Sequence, residues 1–134
     1  MTNDGYFPEY DITLGENSYF AKCLKFGKNN EDLLKKILEE LKIEIKTDKI
    51  YKITGNLFIE FESRGKSSGI SKTTADYWAF CLWSDDRKLP TFILVPTKEL
   101  KKLIENNKYK EVKGGDNYTS LGYLIPATEL IKLT

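Results

Sequence analysis

Polar and apolar positions alternate most clearly over residues 42–64, KIEIKTDKIYKITGNLFIEFESR. Successive side chains on a strand point to opposite faces. Ile43, Ile45 and Thr47 therefore share one face, and Glu44, Lys46 and Asp48 the other. In the second run Leu57, Ile59, Phe61 and Ser63 point one way, and Phe58, Glu60, Glu62 and Arg64 the other. Gly55 and Asn56 supply turn chemistry between the runs, which predicts an antiparallel hairpin of strands 42–48 and 56–63. Such a hairpin crowds carboxylates onto one surface, where like charges directly opposite each other cost about 0.2–1 kcal/mol per pair. Solvent with Lys46 and Arg64, or a bound divalent cation, would offset that repulsion.

Elsewhere the period changes. Leu33, Leu34, Ile37, Leu38 and Leu41 recur at three- and four-residue spacing, which predicts a helix over 31–41 with Asn30 as its N-cap. Glu31 then sits in the first turn, at the edge of the apolar stripe, where an acid complements the helix dipole. Upstream, 19–26 reads as a short helix or strand broken by Gly27, and 1–20 as an arm or short strand packing on the body. After the acidic runs, Gly65, Ser67, Ser68 and Gly69 mark a flexible basic turn, and 71–75 a short helix or turn. An aromatic core strand is expected at 76–83 and a turn at 84–90. A second buried strand follows at 91–95, then a helix capped by Thr97 through about 106. A loop at 108–120, a strand at 121–126 and a last helical turn at 127–133 complete an α/β pattern with no internal repeat.

Composition narrows the chemistry. A length of 134 residues suits one domain, and 40% hydrophobic with 31% charged residues suits a globular chain with a polar surface. A net charge of +1 neither requires nor excludes nucleic acid, because a local basic rim can serve a chain that also gathers acids. No run approaches the roughly 18 apolar residues that span a bilayer, and the first residues lack the features of a signal peptide, so no membrane partner and a cytoplasmic location are expected. Cys23 and Cys81, far apart and outside any CxxC, read as a reduced, buried pair. The absence of histidine removes Ser-His-Asp and Cys-His relays, a histidine base and His-bearing zinc sites. With no phosphate-loop, dinucleotide or nucleophile-elbow signature either, an acidic site for an oxygen-loving metal is what remains.

The order of helix, acidic strands, flexible turn and ADY-led aromatic strand resembles the core of the PD-(D/E)XK nuclease superfamily. FGKNNE at 26–31, TGNLFIEFESRG at 54–65 and VKGGDN at 112–117 are similar to small phage and viral proteins of that kind. The resemblance covers roughly 26–95 for the core and implies a restriction-endonuclease-like fold, a central mixed β-sheet flanked by helices. It implies a nuclease that hydrolyses phosphodiester bonds, DNA first among nucleic acids, in the host cytoplasm if the source is viral. A homodimer is compatible with it.

Carried onto this chain, the resemblance makes Glu31, Asp48 and Glu60, with the Phe61 carbonyl, ligands for Mg²⁺ or Mn²⁺. Glu62 occupies the position of the motif lysine, where it would orient or deprotonate the attacking water, and Lys46 would supply the displaced positive charge beside the phosphate. A rival alignment takes Glu44-Ile45-Lys46 as the Glu-x-Lys motif itself. Arg64, Lys66, Lys72 and Lys113 are the expected basic rim, the Gly/Ser turn adding backbone N–H groups for phosphate. The departure at Glu62 keeps open an inactive nuclease-fold protein that binds nucleic acid or a host defence component, and beyond it an interaction or virion protein.

Overall fold

The computed structural model describes residues 19–48, 54–83 and 89–133. It divides into two compact units, 1–40 and 41–134. Of the arm expected at 1–20, residues 1–18 lie outside the described residues, as does most of the turn at 84–90, and Tyr19 and Phe20 open a helix.

In the first unit, helix α1 (Tyr19–Glu39) runs unbroken through Gly27. Asn30 is therefore no N-cap. It sits mid-helix, its side-chain amide donating 2.9 Å to the Phe26 carbonyl four residues back. Glu31 is likewise mid-helix and exposed, so it does not meet the helix dipole from a first turn. Of the apolar stripe only Ile37 is buried, while Leu34 and Leu38 stay 47% and 60% exposed. Cys23 is exposed here, and only Cys81 is buried.

The second unit carries two sheets. The first is mixed: β1 (Ile43–Thr47) lies parallel to β4 (Tyr77–Leu82), which lies antiparallel to β5 (Thr91–Pro96). The second is antiparallel, with β2 (Asn56–Ser63) between β3 (Lys66–Ser67) and β7 (Ser120–Pro126), and β6 (Lys110–Gly114) outside β7. The α/β class and a mixed sheet are thus present. The expected hairpin is not: β1 and β2 belong to different sheets, and β2 turns back through Arg64 and Gly65, both at positive φ, to pair with β3. Arg64-Gly65 forms the tight two-residue connection that matches strand twist, and the longer segment after β1 carries the chain to a separate sheet.

Two strands end in the same corner, a short echo in what otherwise reads as a repeat-free chain. β5 passes through Pro96 (φ −58°, ψ 132°) into α2 (Thr97–Asn106), and β7 through Pro126 (φ −57°, ψ 131°) into α3 (Ala127–Ile131). A proline fixes φ near that value and ends strand pairing, and both segments read apolar-Pro-small-x-Glu-Leu. Val95 with Leu100, and Ile125 with Leu130, are buried in the same core as Leu57, Ile59, Trp78 and Phe80. Thr97 does not cap its helix with its side chain. Buried beside the core, its hydroxyl donates 2.7 Å to the Ala75 carbonyl.

Candidate functional site

β1 is an edge strand, and its register decides where its charges go. Glu44 pairs with Trp78 and Lys46 with Phe80. Paired residues share a face, so Glu44 and Lys46 stand on the face that carries two of the most buried aromatics among the described residues, Trp78 at 0% and Phe80 at 1% exposed. Ile45 takes the other face and is 61% exposed. The alternation is as the sequence implies, but its sense is inverted: the charged face turns toward the body. Inward-pointing charge on an edge strand blunts strand addition, and here it also lines a cleft. The Lys46 ammonium lies 3.7 Å from Glu44 Oε2 and 5.6 Å from the centre of the Trp78 ring, two attractions that hold the long side chain over the aromatic face.

Asp48 follows β1 directly, and its Oδ2 accepts the backbone N–H of Phe58 at 3.0 Å. β2 has no strand partner at that edge position among the described residues, so the carboxylate satisfies a backbone donor there. This bond ties the end of the mixed sheet to the middle of β2. Two residues on, Glu60 Oε2 accepts the Ser68 hydroxyl at 2.7 Å.

Ser68 begins a 3₁₀ turn (Gly69–Ser71) that folds back on β2. The Ser68 N–H meets the Phe61 carbonyl at 3.1 Å, and the Ser71 hydroxyl donates to the same oxygen. Gly69 is necessary for that approach. A Cβ on it would stand 2.1 Å from the Glu60 backbone oxygen, at a φ of +52° that side chains disfavour.

These residues line two adjoining clefts that share Lys46 and Glu60. One, of about 510 Å³, runs between the start of β1 and the 3₁₀ turn, with Lys42, Glu44, Ser67, Ser68, Lys72 and Thr73 on its walls. The other, of about 540 Å³, has Asp48, Asn56, Phe58, Phe80, Lys113 and Leu124 around it. Five of the residues expected from sequence therefore converge: Lys46, Asp48, Glu60, Lys72 and Lys113.

The others do not. A β-bulge shifts the pairing between Glu60, opposite Gly122, and Glu62, opposite Leu121. Neighbouring residues on β7 point to opposite faces, so the bulge sends Glu62 to the face away from Glu60, and Glu62 lines neither cleft. Phe61 packs its ring on Tyr123 at 4.6 Å between centroids, and its carbonyl already accepts two hydrogen bonds, which leaves it no lone pair for a metal. Arg64 and Lys66 are exposed on the β2–β3 turn, outside both clefts. Glu31 stands on α1, outside the unit that holds the clefts.

The Gly/Ser turn is not a flexible nest of amides. The N–H groups of Ser68, Ser71, Lys72 and Thr73 are all bonded within the protein. Sequence reasoning missed Lys42 and the positions of Ser68 and Phe58. The available signal was the Ser68-Gly69 pair, since a glycine that must approach backbone closely marks where a turn closes on a strand.

No group of three or more acidic or cysteine side chains close enough to hold a metal occurs among the described residues. Mg²⁺, however, is commonly held by one or two carboxylates together with waters and substrate phosphate. Asp48 and Glu60, hard oxygen donors each oriented by a hydrogen-bond donor, fit that pattern as a pair. No described helix is long and apolar enough to cross a membrane. Compared with family models, curated proteins and solved structures, the chain shows no match.

Proposed function

We propose that this chain is a metal-dependent nuclease of the PD-(D/E)XK kind that hydrolyses nucleic-acid phosphodiester bonds, DNA first. The observation that carries the reading is the convergence of Asp48, Glu60 and Lys46 on one cleft from two different sheets. Asp48 and Glu60 would hold Mg²⁺ or Mn²⁺, which when bound lowers the pKa of a bound water and offsets charge on the phosphoryl oxygens. The chain's own residues do the rest. The Phe58 amide and the Ser68 hydroxyl fix the two carboxylates, so little reorganisation accompanies binding. Lys46, poised by Glu44 and Trp78, offers its ammonium to a phosphate oxygen. Lys42, Lys72 and Lys113 reduce the repulsion that two carboxylates exert on a polyanion. Glu62 and the Phe61 carbonyl have no part in this arrangement.

The test is cleavage of end-labelled single- and double-stranded DNA with Mg²⁺ or Mn²⁺. Asp48→Asn and Glu60→Gln each lower the rate by at least about a hundred-fold, more than loss of an outer-shell partner costs, and EDTA abolishes it. Cleavage that persists in EDTA refutes the reading. One observation favours a second reading, a nucleic-acid binder without cleavage: the lack of a three-acid group among the described residues. DNA bound but intact with either metal, and bound equally by the Asp48→Asn variant, selects it.

A further inference from the structure

The register of the second sheet puts Phe58, Glu60, Gly122, Leu124, Val112 and Gly114 on one face. The Phe58 ring leans from β2 across β7 towards β6. A Cβ on Gly122 would stand 2.5 Å from its Cζ, and one on Gly114 would stand 2.8 Å from the same edge. Any other residue at either position would push the ring off the sheet. Two strands thus carry glycine where the end of an aromatic ring comes close to the backbone, and Phe58 lines the larger cleft. Phe80 and Leu124 add apolar wall, and Lys46, Lys113, Asp48 and Asn56 add charge and hydrogen-bonding groups. An apolar shelf beside cations is complementary to one ligand class, a flat heteroaromatic ring joined to a phosphate.

We infer that Phe58 is a stacking seat for the base of an unpaired nucleotide, next to the Asp48–Glu60 pair. This deepens the nuclease reading and rests on it for the position of the phosphate. Phe58 and Glu60 are two residues apart on one strand face, about 7 Å along β2, so a base on the ring brings its own phosphate to the carboxylate end of the cleft. Lys46, which lines both clefts, meets that phosphate, and the strand continues along the lysine- and hydroxyl-lined cleft beyond. A base within a duplex has both faces covered and cannot lie on the shelf without leaving the stack, so the seat selects single-stranded or extruded nucleotides.

The experiment measures binding by fluorescence anisotropy with Ca²⁺ in place of Mg²⁺. It uses a labelled deoxythymidine oligonucleotide, the same oligonucleotide with its central sugars abasic, and a blunt duplex. The native protein binds the intact single strand from about five-fold to over a hundred-fold tighter than the abasic one, the range for stacking one base on an aromatic ring. Phe58→Leu removes that preference, and Phe58→Trp keeps it. Equal affinity of the native protein for intact and abasic strands, preference for the duplex, or no binding of any strand overturns the inference. The abasic comparison needs no variant, so a misfolded Phe58→Leu does not blunt it. A base-dependent binder that never cleaves keeps the seat and removes the nuclease reading, whereas cleavage without base dependence does the reverse.

Discussion

Gly69 and Gly65 offer a direct measure of how tightly the 3₁₀ turn is clamped on β2. Both have positive φ, +52° and +78°, and both lie between β2 and β4, but their surroundings differ. Nothing lies within 4 Å of a Cβ on Gly65, whereas a Cβ on Gly69 would overlap the Glu60 carbonyl. Gly65→Ala therefore costs only the left-handed backbone penalty, about 1–2 kcal/mol. Gly69→Ala carries the same penalty and must also lift the turn away from β2. Lifting strains the Ser68 N–H bond to Phe61, the Ser68 hydroxyl bond to Glu60 and the Ser71 bond to Phe61, each worth about 0.5–1.5 kcal/mol net. It also draws Ile70, 4% exposed, outward from the core.

Allowing for partial relaxation, the excess of Gly69→Ala over Gly65→Ala is about 2–4 kcal/mol, or a urea midpoint lower by about 1–2 M at an ordinary m-value. Urea unfolding followed by tryptophan fluorescence reads this directly, because Trp78 is buried in the affected core. Equal losses for the two alanine variants would show that the turn does not press on Glu60, and the account of Ser68 as the group that orients that carboxylate would fall with it.

Three further outcomes follow from single contacts. Glu62→Ala leaves metal-dependent cleavage at the native rate, since the bulge turns this carboxylate away from both clefts; a loss as large as that of Glu60→Gln in the same assay would contradict the register. Thr97→Val lowers the unfolding free energy by about 1–3 kcal/mol in urea, because the half-buried Ala75 carbonyl loses its hydroxyl donor while the side-chain volume is kept. Burial, aided by Glu129, pushes the Tyr109 hydroxyl up to about 12 from its ordinary 10. The folded chain therefore holds this proton where the unfolded chain has lost it, so the stabilisation is complete below pH 10 and is lost as pH rises from 10 to 12. Tyr109→Phe removes that part of the alkaline decline in stability, and an identical decline in both proteins would show that burial beside Glu129, whose Oε1 accepts the Tyr109 hydroxyl at 3.2 Å, does not hold this proton.

Local patterns in the sequence carried most elements of the fold. The aromatic run gives β4, the apolar run before Pro96 gives β5, and the Leu100, Leu103, Ile104 spacing gives α2, because each is decided by neighbours within a few residues. Strand pairing is decided by partners far along the chain. Nothing within 42–64 announces that β1 will lie against Tyr77–Leu82, so the hairpin suggested by Gly55-Asn56 had no local competitor. Nor does FIEFES announce a bulge. Strict alternation puts Glu60 and Glu62 together, and only the count against Gly122 and Leu121 separates them. The helix pattern was legible from Leu33 onward but not across Gly27, a residue that costs a helix about 1 kcal/mol without ending it.

The candidate site shows why periodicity finds such residues without saying what they do. Alternation divides β1 into Ile43, Ile45 and Thr47 on one face and Glu44 and Lys46 on the other, yet it is silent on which face turns inward, and the usual rule of apolar residues inside points the wrong way here. Pairing with Trp78 and Phe80 brings the charged face in. At an edge strand those charges keep water on one side, and their side chains remain 41% exposed while bordering the core. The neighbouring carboxylates of Asp48 and Glu60 meet donors as well, the Phe58 N–H on β2 at Asp48 and a hydroxyl at Glu60 from a turn that only Gly69 lets close. Charge turned inward on one edge strand, with two neighbouring carboxylates each held by a hydrogen-bond donor, is a local departure from the burial rule of the kind that the proposed site requires.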